Sequence, residues 1–442
     1  MPNSSAFSKL GRRGALLILG TALIAGCGSS GSGSAQVRVV NAIAPTSSIV
    51  GAPTIDVFAT DNLLVSGVAP GSASAYASLG GGSYTVRITN TGSATALSST
   101  SASVAGGTTY TLVAWGRASA VQAFYLTDGE VASTTANTAK IRVLNTAVDA
   151  GSVDMYLTDA STDLSAATAV AASTAGGRVS VYNEVTAGTY RLRITAAGSK
   201  TDVRLDLPSF TVAATDISTL VLQPSQGGVL VHGLKVLQQG AVTANPNTQA
   251  RARVIASVAN NGAVTASLGG TSLNVGLPSP AVGPYVLVPS GSPALSMTVN
   301  GTPLAAAPTS IVAGGDYTFM AYGPAATPLI STIADDNRLP ATATGARMRL
   351  INGLQGQGAL TLAMDFSSVA GNVAFGSASD YTAIASNTSA RLDVTSGLTG
   401  NVLFTTGSTN VNIRAQGVFS VMVLDGGTTP TGFLRNERPP LN

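Results

Sequence analysis

Residues 36–42 read QVRVVNA, and this stretch alternates polar and apolar residues before its asparagine. Such alternation is typical of a β-strand with one face on a core and one face in solvent. The chain repeats the pattern three more times, as KIRVLNT at 140–146, RARVIAS at 251–257 and RMRLING at 347–353. This pattern therefore predicts a half-buried opening strand that marks the start of each repeat.

The repeated stretches share one arginine, which sets their register. It recurs at intervals of 96 to 111 residues, as Arg38, Arg142, Arg253 and Arg349. A period of about 100 residues is a normal size for an independently folding β-sandwich. The spacing predicts four tandem domains rather than one large one.

Further short runs recur in the same order between the openers. TIDVF at 54–58 matches SVDMY at 152–156, GSYTVRI at 82–88 matches GTYRLRI at 188–194, and GGTTYTL at 106–112 matches GGDYTF at 314–319. Thr, Val, Ile and Tyr dominate these runs, and Gly, Pro, Ser and Asn separate them, which favours strands joined by turns. We expect an all-β fold of tandem immunoglobulin-like, Greek-key β-sandwiches after an N-terminal signal peptide.

Tyrosines follow glycine at the start of several of these strands, as in Gly82-Ser83-Tyr84 and Gly188-Thr189-Tyr190. In Greek-key sandwiches such a tyrosine can turn back and hydrogen-bond the backbone upstream of it. Glycine supplies the backbone freedom that the turn needs. The alternative is that these tyrosines are ordinary strand residues with exposed hydroxyls.

The pattern VRVVNA…IDVF…GSYTVRIT…GGTTYTLVAWG resembles the domain-of-unknown-function family numbered 4397, a β-rich module of exported bacterial proteins and lipoproteins. The resemblance is strongest over 36–129, good over 139–235, weaker over 250–335 and weakest over 346–436. In the third region Val264-Thr265-Ala266 replaces the strand that contains aspartate, and the fourth lacks the Gly-x-Tyr entry. The resemblance implies no catalytic residues.

The repeats and the segments between them give the predicted domain boundaries. We assign β-sandwich repeats to 36–129 and 139–237, and divergent repeats to 250–337 and 346–436. Linkers rich in Thr, Ala and Asn are predicted at 130–138, 238–249 and 338–345. The tail 436–442 contains two prolines and is expected to fray.

The sequence LIAGC ends at Cys27, which is the only cysteine, and it closes the eleven-residue apolar run 14–24 behind Lys9, Arg12 and Arg13. This arrangement resembles the lipobox of bacterial lipoproteins, which implies a signal peptide at 1–26 and acylation of Cys27. The alternatives are an uncleaved buried helix or a secretory cut without lipid. Residues 27–35 are expected to be a Gly/Ser tether. Gly28, rather than Asp, after the cysteine favours the outer membrane within the cell envelope.

The charge balance disfavours a nucleic-acid partner. The net charge of +3 comes from the three basic residues of the leader, and without them 20 basic residues face 20 acidic ones. Nucleic-acid binders show a basic excess on one face. Charged residues make up only 10% of the chain, against about 25% in ordinary soluble domains. One cysteine allows no intramolecular disulfide.

Few residues are suited to catalysis or metal binding. His232, the only histidine, lies in an apolar run and is expected to be structural rather than the base of a hydrolase triad. Asp335-Asp336, and Asp202 with Asp206 around Arg204, are candidates for calcium ligands, but solvated turns are the favoured interpretation. No cofactor or metal is predicted.

Three other features have a structural and a functional interpretation. Asp56 and Asp154 occupy matching repeat positions and are expected to bond nearby loop amides. Trp115, with Tyr322 as its counterpart, is expected in the core or at its rim rather than exposed for stacking on a sugar. The three glycines at 80–82 lack the Lys and Ser/Thr of a phosphate-binding loop.

The leading hypothesis is a lipid-anchored, non-enzymatic protein of the cell envelope that serves as a binding, adhesive or spacer module. It would contact the membrane through acylated Cys27, and an envelope protein or polysaccharide would be its partner. The alternative is a hydrolase of envelope polysaccharide that uses carboxylates alone. An outer-membrane barrel is disfavoured because aromatics are only 5% of the chain and the repeat is that of separate domains.

Overall fold

A computed structural model describes residues 33–45, 51–427 and 429–438. The predicted signal peptide, Cys27, most of the tether and the last four residues lie outside this part of the chain. The described residues form 38 strands and two short 3₁₀ helices, Val148–Ala150 and Leu164–Ala166, so the all-β prediction is confirmed. No helix in these ranges is long and apolar enough to cross a bilayer.

Unit 1 is a sandwich of two four-stranded sheets. Its strands are β1 (Ser34–Ala44), β2 (Ile55–Ala59), β3 (Asn62–Val68), β4 (Ala77–Gly80), β5 (Gly82–Asn90), β6 (Ala96–Val104), β7 (Thr109–Arg117) and β8 (Ala120–Thr127). One sheet has the order β4-β1-β7-β8 and the other β3-β2-β5-β6. The first strand pairs in parallel with the seventh, and all other pairs are antiparallel.

Unit 2 repeats this arrangement with additions at the sheet edges. Its strands are β9 (Thr138–Asn145), β10 (Val153–Thr158), β11 (Ala171–Thr174), β12 (Arg178–Val179), β13 (Asn183–Thr186), β14 (Gly188–Ala196), β15 (Val203–Val212), β16 (Ile217–Pro224), β17 (Val231–Leu237) and β18 (Val242–Asn245). The sheets have the orders β12-β9-β16-β17-β18, with β13 also on β9, and β11-β10-β14-β15.

Unit 3 has the same two sheets. Its strands are β19 (Gln249–Val258), β20 (Ala263–Leu268), β21 (Thr271–Pro278), β22 (Ala281–Val282), β23 (Val286–Pro289), β24 (Leu295–Val299), β25 (Thr302–Pro303), β26 (Asp316–Gly323) and β27 (Leu329–Asp335). The orders are β22-β19-β26-β27, with β23 also on β19, and β21-β20-β24-β25.

Unit 4 completes the series. Its strands are β28 (Gly345–Gly353), β29 (Leu360–Met364), β30 (Ser367–Val373), β31 (Ser377–Ala378), β32 (Thr382–Ala385), β33 (Asn387–Ala390), β34 (Leu392–Ser396), β35 (Val402–Thr405), β36 (Val411–Ile413), β37 (Val418–Leu424) and β38 (Thr431–Asn436). The orders are β31-β28-β37-β38, with β32 also on β28, then β30-β29-β34-β35, and the pair β33-β36.

The sandwich architecture is as predicted, and three details differ. The strand order is not the ABED and CFG order of an immunoglobulin constant domain, because the first strand lies between the fourth and the seventh. β1 begins at Ser34, inside the predicted tether 27–35. β18 lies inside the predicted linker 238–249, because its backbone adds to the edge of β17.

The opener strands are buried on both faces, so the prediction of half-buried strands is wrong. In β1, Val37 and Val39 face the core of unit 1. Val40 and Ala42 point the other way and pack with Leu144 and other apolar residues of unit 2. The second contact exists because the sheets that contain the openers pack against each other. Units 1 and 2 form one pair in this manner.

Units 3 and 4 form a second pair with the same construction. Ile255 and Met320 of unit 3 pack against Ile351, Met422 and Leu424 of unit 4. Each unit also has its own hydrophobic core between its two sheets. The described residues therefore form four sandwich cores and two further apolar layers that join the units pairwise.

Glycine-linked tyrosines adopt the corner geometry. The hydroxyl of Tyr84 donates to the carbonyl oxygen of Gly80 at 2.8 Å, and that of Tyr190 donates to Thr186 at 2.6 Å. The Tyr317 hydroxyl instead accepts from the backbone N–H of Val312 at 2.9 Å. These bonds run back four or five residues along the chain, so the tyrosine-corner prediction is confirmed.

The asparagine of the opener holds the loops at the end of the sandwich. Asn352 is fully buried. Its Nδ2 donates to the carbonyl oxygens of Gly358 at 3.2 Å and Val373 at 3.0 Å, and its Oδ1 accepts from Leu354 N–H at 3.1 Å. Asn41 and Asn145 make equivalent sets of bonds. One side chain thus provides partners for three backbone groups.

We predict that Asn352→Ala lowers the free energy of unfolding by about 3 kcal/mol, because buried backbone groups left without partners each cost roughly 1–3 kcal/mol. Urea unfolding followed by circular dichroism measures the effect. Asn401→Ala, at an exposed position of the same unit, is the control and should change stability by less than about 0.5 kcal/mol. Equal stability of the two variants would contradict the role of the Asn352 side chain as a partner for the loop backbone.

Candidate functional site

The arginine that sets the repeat register has the same local contacts in all four units. Its Nε donates to a hydroxyl on the parallel neighbouring strand. The pairs are Arg38–Thr111 at 2.9 Å, Arg142–Thr219 at 3.0 Å, Arg253–Thr318 at 2.8 Å and Arg349–Ser420 at 3.0 Å. Three of the four are almost completely buried, at 3%, 0% and 2% exposure for Arg38, Arg253 and Arg349. The outer face of each opener therefore carries a guanidinium that is held against its own sheet.

A tyrosine from the same unit lies against each of these guanidinium groups. The distances from guanidinium carbon to ring centre are 5.3 Å for Tyr76, 4.1 Å for Tyr182, 4.5 Å for Tyr285 and 4.6 Å for Tyr381. Such cation–π contacts gain strength where water is excluded. Sequence reasoning missed these tyrosines. The sequence pattern that could have identified them is a tyrosine 32 to 40 residues after each register arginine.

Units 3 and 4 exchange ion pairs across their interface. Arg253 of unit 3 donates to both carboxylate oxygens of Glu437 at 2.6 and 2.7 Å, and neither side chain is exposed. Arg349 of unit 4 donates to Asp335 of unit 3 at 2.5 Å. Each unit thus supplies one cation and one anion to the other, which satisfies charges that could not be buried alone.

The surroundings of Asp335 stabilise its ionised form. Burial alone would raise the pKa of this carboxyl group, but Arg349 and Arg253 outweigh that effect, and the hydroxyls of Thr318 and Tyr285 donate to it at 2.5 and 2.7 Å. The pKa of Asp335 consequently lies below its ordinary value. Burial raises the pKa of Tyr285 well above its usual range, so its hydroxyl stays protonated.

Units 1 and 2 dock in a related way with less charge. The guanidinium of Arg38 donates to the backbone oxygens of Leu237 at 2.6 Å and Gly240 at 2.5 Å in unit 2. Gln238 occupies the position that corresponds to Glu437, and its amide exchanges two hydrogen bonds with the backbone of Glu130. Neutral groups of unit 2 replace the carboxylate that unit 4 contributes.

A cavity of about 480 Å³ lies where the two pairs of units meet. Its walls come from the β7–β8 hairpin of unit 1, from Val148 and Asp149 of unit 2, from residues 338–341 and from Arg347 of unit 4. The hairpin turns at Ala118-Ser119, and at Gly116, in the last part of β7, an added Cβ would lie 2.6 Å from the carbonyl oxygen of Ala120. Leu339 N–H donates to Asp149 Oδ1 at 2.9 Å, which fixes the segment between units 3 and 4 against unit 2.

Two side chains of the cavity wall contain nitrogen atoms without partners. Arg117 Nη2 donates to Asp149 at 2.6 Å and to the Ser225 carbonyl oxygen at 3.0 Å. Its Nη1 is buried and has no hydrogen-bond partner among the described residues, and the same holds for Nε1 of Trp115. Both nitrogen atoms have almost no accessible surface, so they lie behind the cavity wall and do not face its interior.

The acidic residues selected from the sequence form ion pairs with arginine, and the interpretation as solvated turns is wrong for Asp335, which is buried. Asp336 pairs with Arg347 at 2.7 Å and also with Arg338. Asp202 pairs with Arg204 at 2.7 Å and Asp206 with Arg191 at 2.5 Å. Within the described ranges, no group of three or more His, Cys, Asp or Glu residues could hold a metal ion.

Asp56 and Asp154 hold loops, as predicted. Asp56 accepts hydrogen bonds from the backbone N–H of Gly67 at 2.8 Å and of Gly92 at 3.0 Å. Asp154 accepts from Ser173 at 2.7 Å and Gly198 at 2.9 Å. Burial would raise the pKa of Asp56, but these amides and Ser66 lower it below its ordinary value.

His232 and Trp115 have structural contacts. His232 lies in β17, and its Nδ1 accepts from the backbone N–H of Asn247 at 3.1 Å. Burial lowers the pKa of this histidine. Trp115 is 5% exposed and belongs to the layer between units 1 and 2. Its counterpart Tyr322 lies in the corresponding layer of the other pair and meets Phe375 edge-on at 4.9 Å. Trp115 is interior and Tyr322 is partly buried, which fits the expected position in the core or at its rim.

The family model for Domain of unknown function (DUF4397) matches residues 35–156 and 250–363, which is just over half of the chain. The protein belongs to this family and contains tandem copies of its domain. The match includes unit 3, where the motif resemblance is weaker, and it ends early in unit 2, where the motif resemblance is good. The family description assigns no activity.

Solved structures and curated proteins add little. A "putative cell adhesion protein" from Bacteroides uniformis is 11% identical with a TM-score of 0.21, over 46% of this chain and 98% of that one. The Bacillus anthracis TIE protein is 9% identical with a TM-score of 0.14, over 85% of this chain and 66% of that one. No curated protein matches. Scores this low support no functional argument.

We predict that Arg253→Met and Glu437→Leu each lower the free energy of unfolding by about 3 kcal/mol, because each removes the bidentate partner of a buried charge. The double variant should recover most of this loss, since no unpaired charge remains. Urea unfolding of the four proteins gives the coupling energy. Arg191→Met, in a partly exposed pair, is the control, with an expected loss of about 1 kcal/mol or less. Additive losses in the double variant would argue against a direct interaction.

Proposed function

We propose that this protein is a non-enzymatic structural module of the bacterial cell envelope, in which tandem sandwiches form a rigid body attached to the membrane by acylated Cys27. The observation that carries this proposal is the reciprocal pair of buried ion pairs between units 3 and 4. Separation of these units would break both ion pairs and expose two arginines and two carboxylates to water. Because each arginine has one defined carboxylate in the other unit, the two ion pairs specify a single docking arrangement.

Contacts between the two pairs support the same proposal. Gly227 and Gly228 of unit 2 bond to the other pair, through Gly314 O at 3.0 Å, Asn337 N–H at 3.1 Å and Arg438 Nη1 at 2.8 Å. A string of independent domains needs no such bonds, and a spacer that holds a defined length does. An envelope protein or polysaccharide is the proposed class of partner for this body.

The carboxylates do not favour the alternative of a polysaccharide hydrolase. A glycosidase needs one carboxylic acid whose pKa is raised, so that it can protonate the leaving group. Burial would raise the pKa of Asp202, Asp335 and Asp336, but the paired arginines outweigh it and lower each pKa. These groups are thus held in the ionised form.

The rigid body can be tested by distance measurements between units 3 and 4. In a Cys27→Ser background, spin labels at Val275→Cys and Leu398→Cys, which are 81% and 70% exposed, should give one narrow distance distribution. Arg253→Met should broaden it, because the remaining Glu437 carboxylate then favours the separated, hydrated state. A broad distribution in the protein without Arg253→Met would refute the rigid body.

The anchor can be tested separately. Cys27→Ser should move the protein from the membrane fraction to the soluble fraction, because the acyl chains supply the proposed attachment. Ser29→Ala changes a neighbouring residue and should leave the distribution unchanged. Metabolic labelling with a fatty acid measures acylation directly. A wild-type protein that takes up no label would disprove the anchor while leaving the rigid body in place.

A further inference from the structure

The last strand of the second sheet differs between the four units. In units 2, 3 and 4 this edge has features that discourage pairing with a further strand. β15 contains Arg204, Asp206 and Pro208 and has two register shifts against β14. β25 has only two residues, Thr302 and Pro303, and β35 has four with one register shift. Units 2, 3 and 4 thus have an edge that is short, bulged, charged or interrupted by proline.

β6 of unit 1 has none of these features over most of its length. Its sequence, ALSSTSASV, contains no charged residue and no proline. Seven consecutive residues, 98–104, pair with 82–88 of β5 without a shift. Among the described residues, β5 is the only strand that pairs with β6. β6 therefore presents a regular, uncharged strand edge, which is a template for the addition of another strand.

The direction of the backbone groups on β6 follows from the pairing of β5. Thr60 N–H donates to the carbonyl oxygen of Thr85 at 2.6 Å, so the backbone groups of Thr85 face β2. Those of Val86, the next residue, face β6, where Val86 is opposite Thr100. Backbone groups alternate in direction along a strand, so the neighbours of Thr100 point away from β5. The outward-facing residues, whose side chains are also exposed, are Ser99, Ser101 and Ser103.

A second copy of β6 fits this edge. The seven regular residues are centred on Ser101, so an antiparallel copy related by a two-fold axis there places Ser99 opposite Ser103. Three outward N–H groups from each strand then find carbonyl partners, which gives six hydrogen bonds. No charge meets a like charge in this arrangement. Serines of this sheet already contact one another across strands, as Ser83 and Ser103 do at 2.8 Å.

The geometry of the sheet limits such an assembly to two copies. At the other edge, β3 pairs with β2 through register shifts around Val57, and such bulges disrupt the ladder that a further strand would extend. Pairing of β6 with β6 uses the same surface on both copies. A contact of this kind closes on itself and yields a dimer, whereas a contact between two different edges would yield a fibre.

We propose that unit 1 associates with unit 1 of a second copy of this chain, through antiparallel pairing of β6 about Ser101. The pairing joins two four-stranded sheets into one sheet of eight strands. A charged segment of a foreign chain would find no opposite charge on β6, whereas a second β6 matches it in length and polarity. The pairing does not depend on the proposed anchor, which would only raise the local concentration of partners on one membrane.

Single cysteines in a Cys27→Ser background locate the two-fold axis. The two Cα atoms at position 101 would be about 5.5 Å apart, which is within the range that a disulfide spans. Ser101→Cys should therefore give a cross-linked dimer under mild oxidation. Ser103→Cys is the matched control, since it is equally exposed and lies on the same strand. Its counterpart would be displaced by about 14 Å along the strand, so it should remain uncross-linked.

Substitutions at the same position test the backbone bonds by sedimentation equilibrium, again in the Cys27→Ser background. Ser101→Pro removes one outward N–H from each copy, and an edge strand tolerates proline where its N–H faces solvent. The dimer dissociation constant should rise about tenfold or more. Ser101→Lys places like charges opposite each other and should weaken the dimer without a change in the backbone. Ser101→Thr retains the N–H and should dimerise as the parent protein does.

Four outcomes would overturn the proposal. A parent protein that stays monomeric at millimolar concentration would leave this edge to a strand of another protein. Equal cross-linking of Ser101→Cys and Ser103→Cys would indicate random collision. Unchanged affinity in both Ser101→Pro and Ser101→Lys would place the contact elsewhere, and assemblies larger than two copies would contradict the closed pairing. The fatty-acid labelling that tests the anchor is unaffected by any of these results.

Discussion

An arginine in the middle of a buried strand needs a partner for its charge, and this requirement organises the molecule. Each opener strand places its register arginine on the face that points away from its own core. A solvated face would leave the side chain free and mobile. Here the facing unit covers the side chain, so the guanidinium needs hydrogen-bond acceptors in that unit. The pairing of sandwiches and the position of the arginine are therefore two aspects of one constraint.

The two pairs satisfy this constraint by different chemistry within the same docking geometry. Between units 3 and 4, Arg253 and Arg349 each have a carboxylate from the other unit. Between units 1 and 2, Arg38 has backbone oxygens, and the register arginine of unit 2 is half-buried. Apolar layers are common to both pairs. The apolar layers are thus the shared source of association, and the polar contacts fix which groups face one another.

Much of the fold was predictable because it depends on local patterns. Alternation in QVRVVNA, glycine before tyrosine and the repeat spacing are each visible within a few residues, and each corresponds to a strand, a corner or a unit. The pairing of units was not predictable in this way. The outer face of β1 reads as solvent-exposed, because Arg38 is polar, and only the facing unit makes it interior.

The cavity was beyond sequence reasoning for the same reason. Its wall joins Trp115 and Asp149 to Arg347, which lies about 200 residues further along the chain. The sequence predicts that Trp115 lies in the core or at its rim, but its position in a layer between units depends on how those units dock. Arg117 and Arg347 had no local motif. A site formed between domains leaves a sequence signal only where each contributing residue is unusual in its own neighbourhood.

The low charge content of this chain changes how its acids should be interpreted. With only 10% charged residues, small polar side chains provide most of the hydrated surface. Charges are then not needed in large numbers for solubility, and several of them occur inside, including Asp316, Asp335, Glu437 and Arg438. A buried carboxylate in such a protein first suggests a contact between units. A catalytic interpretation requires a second observation, such as a raised pKa, and the paired acids here show the opposite shift.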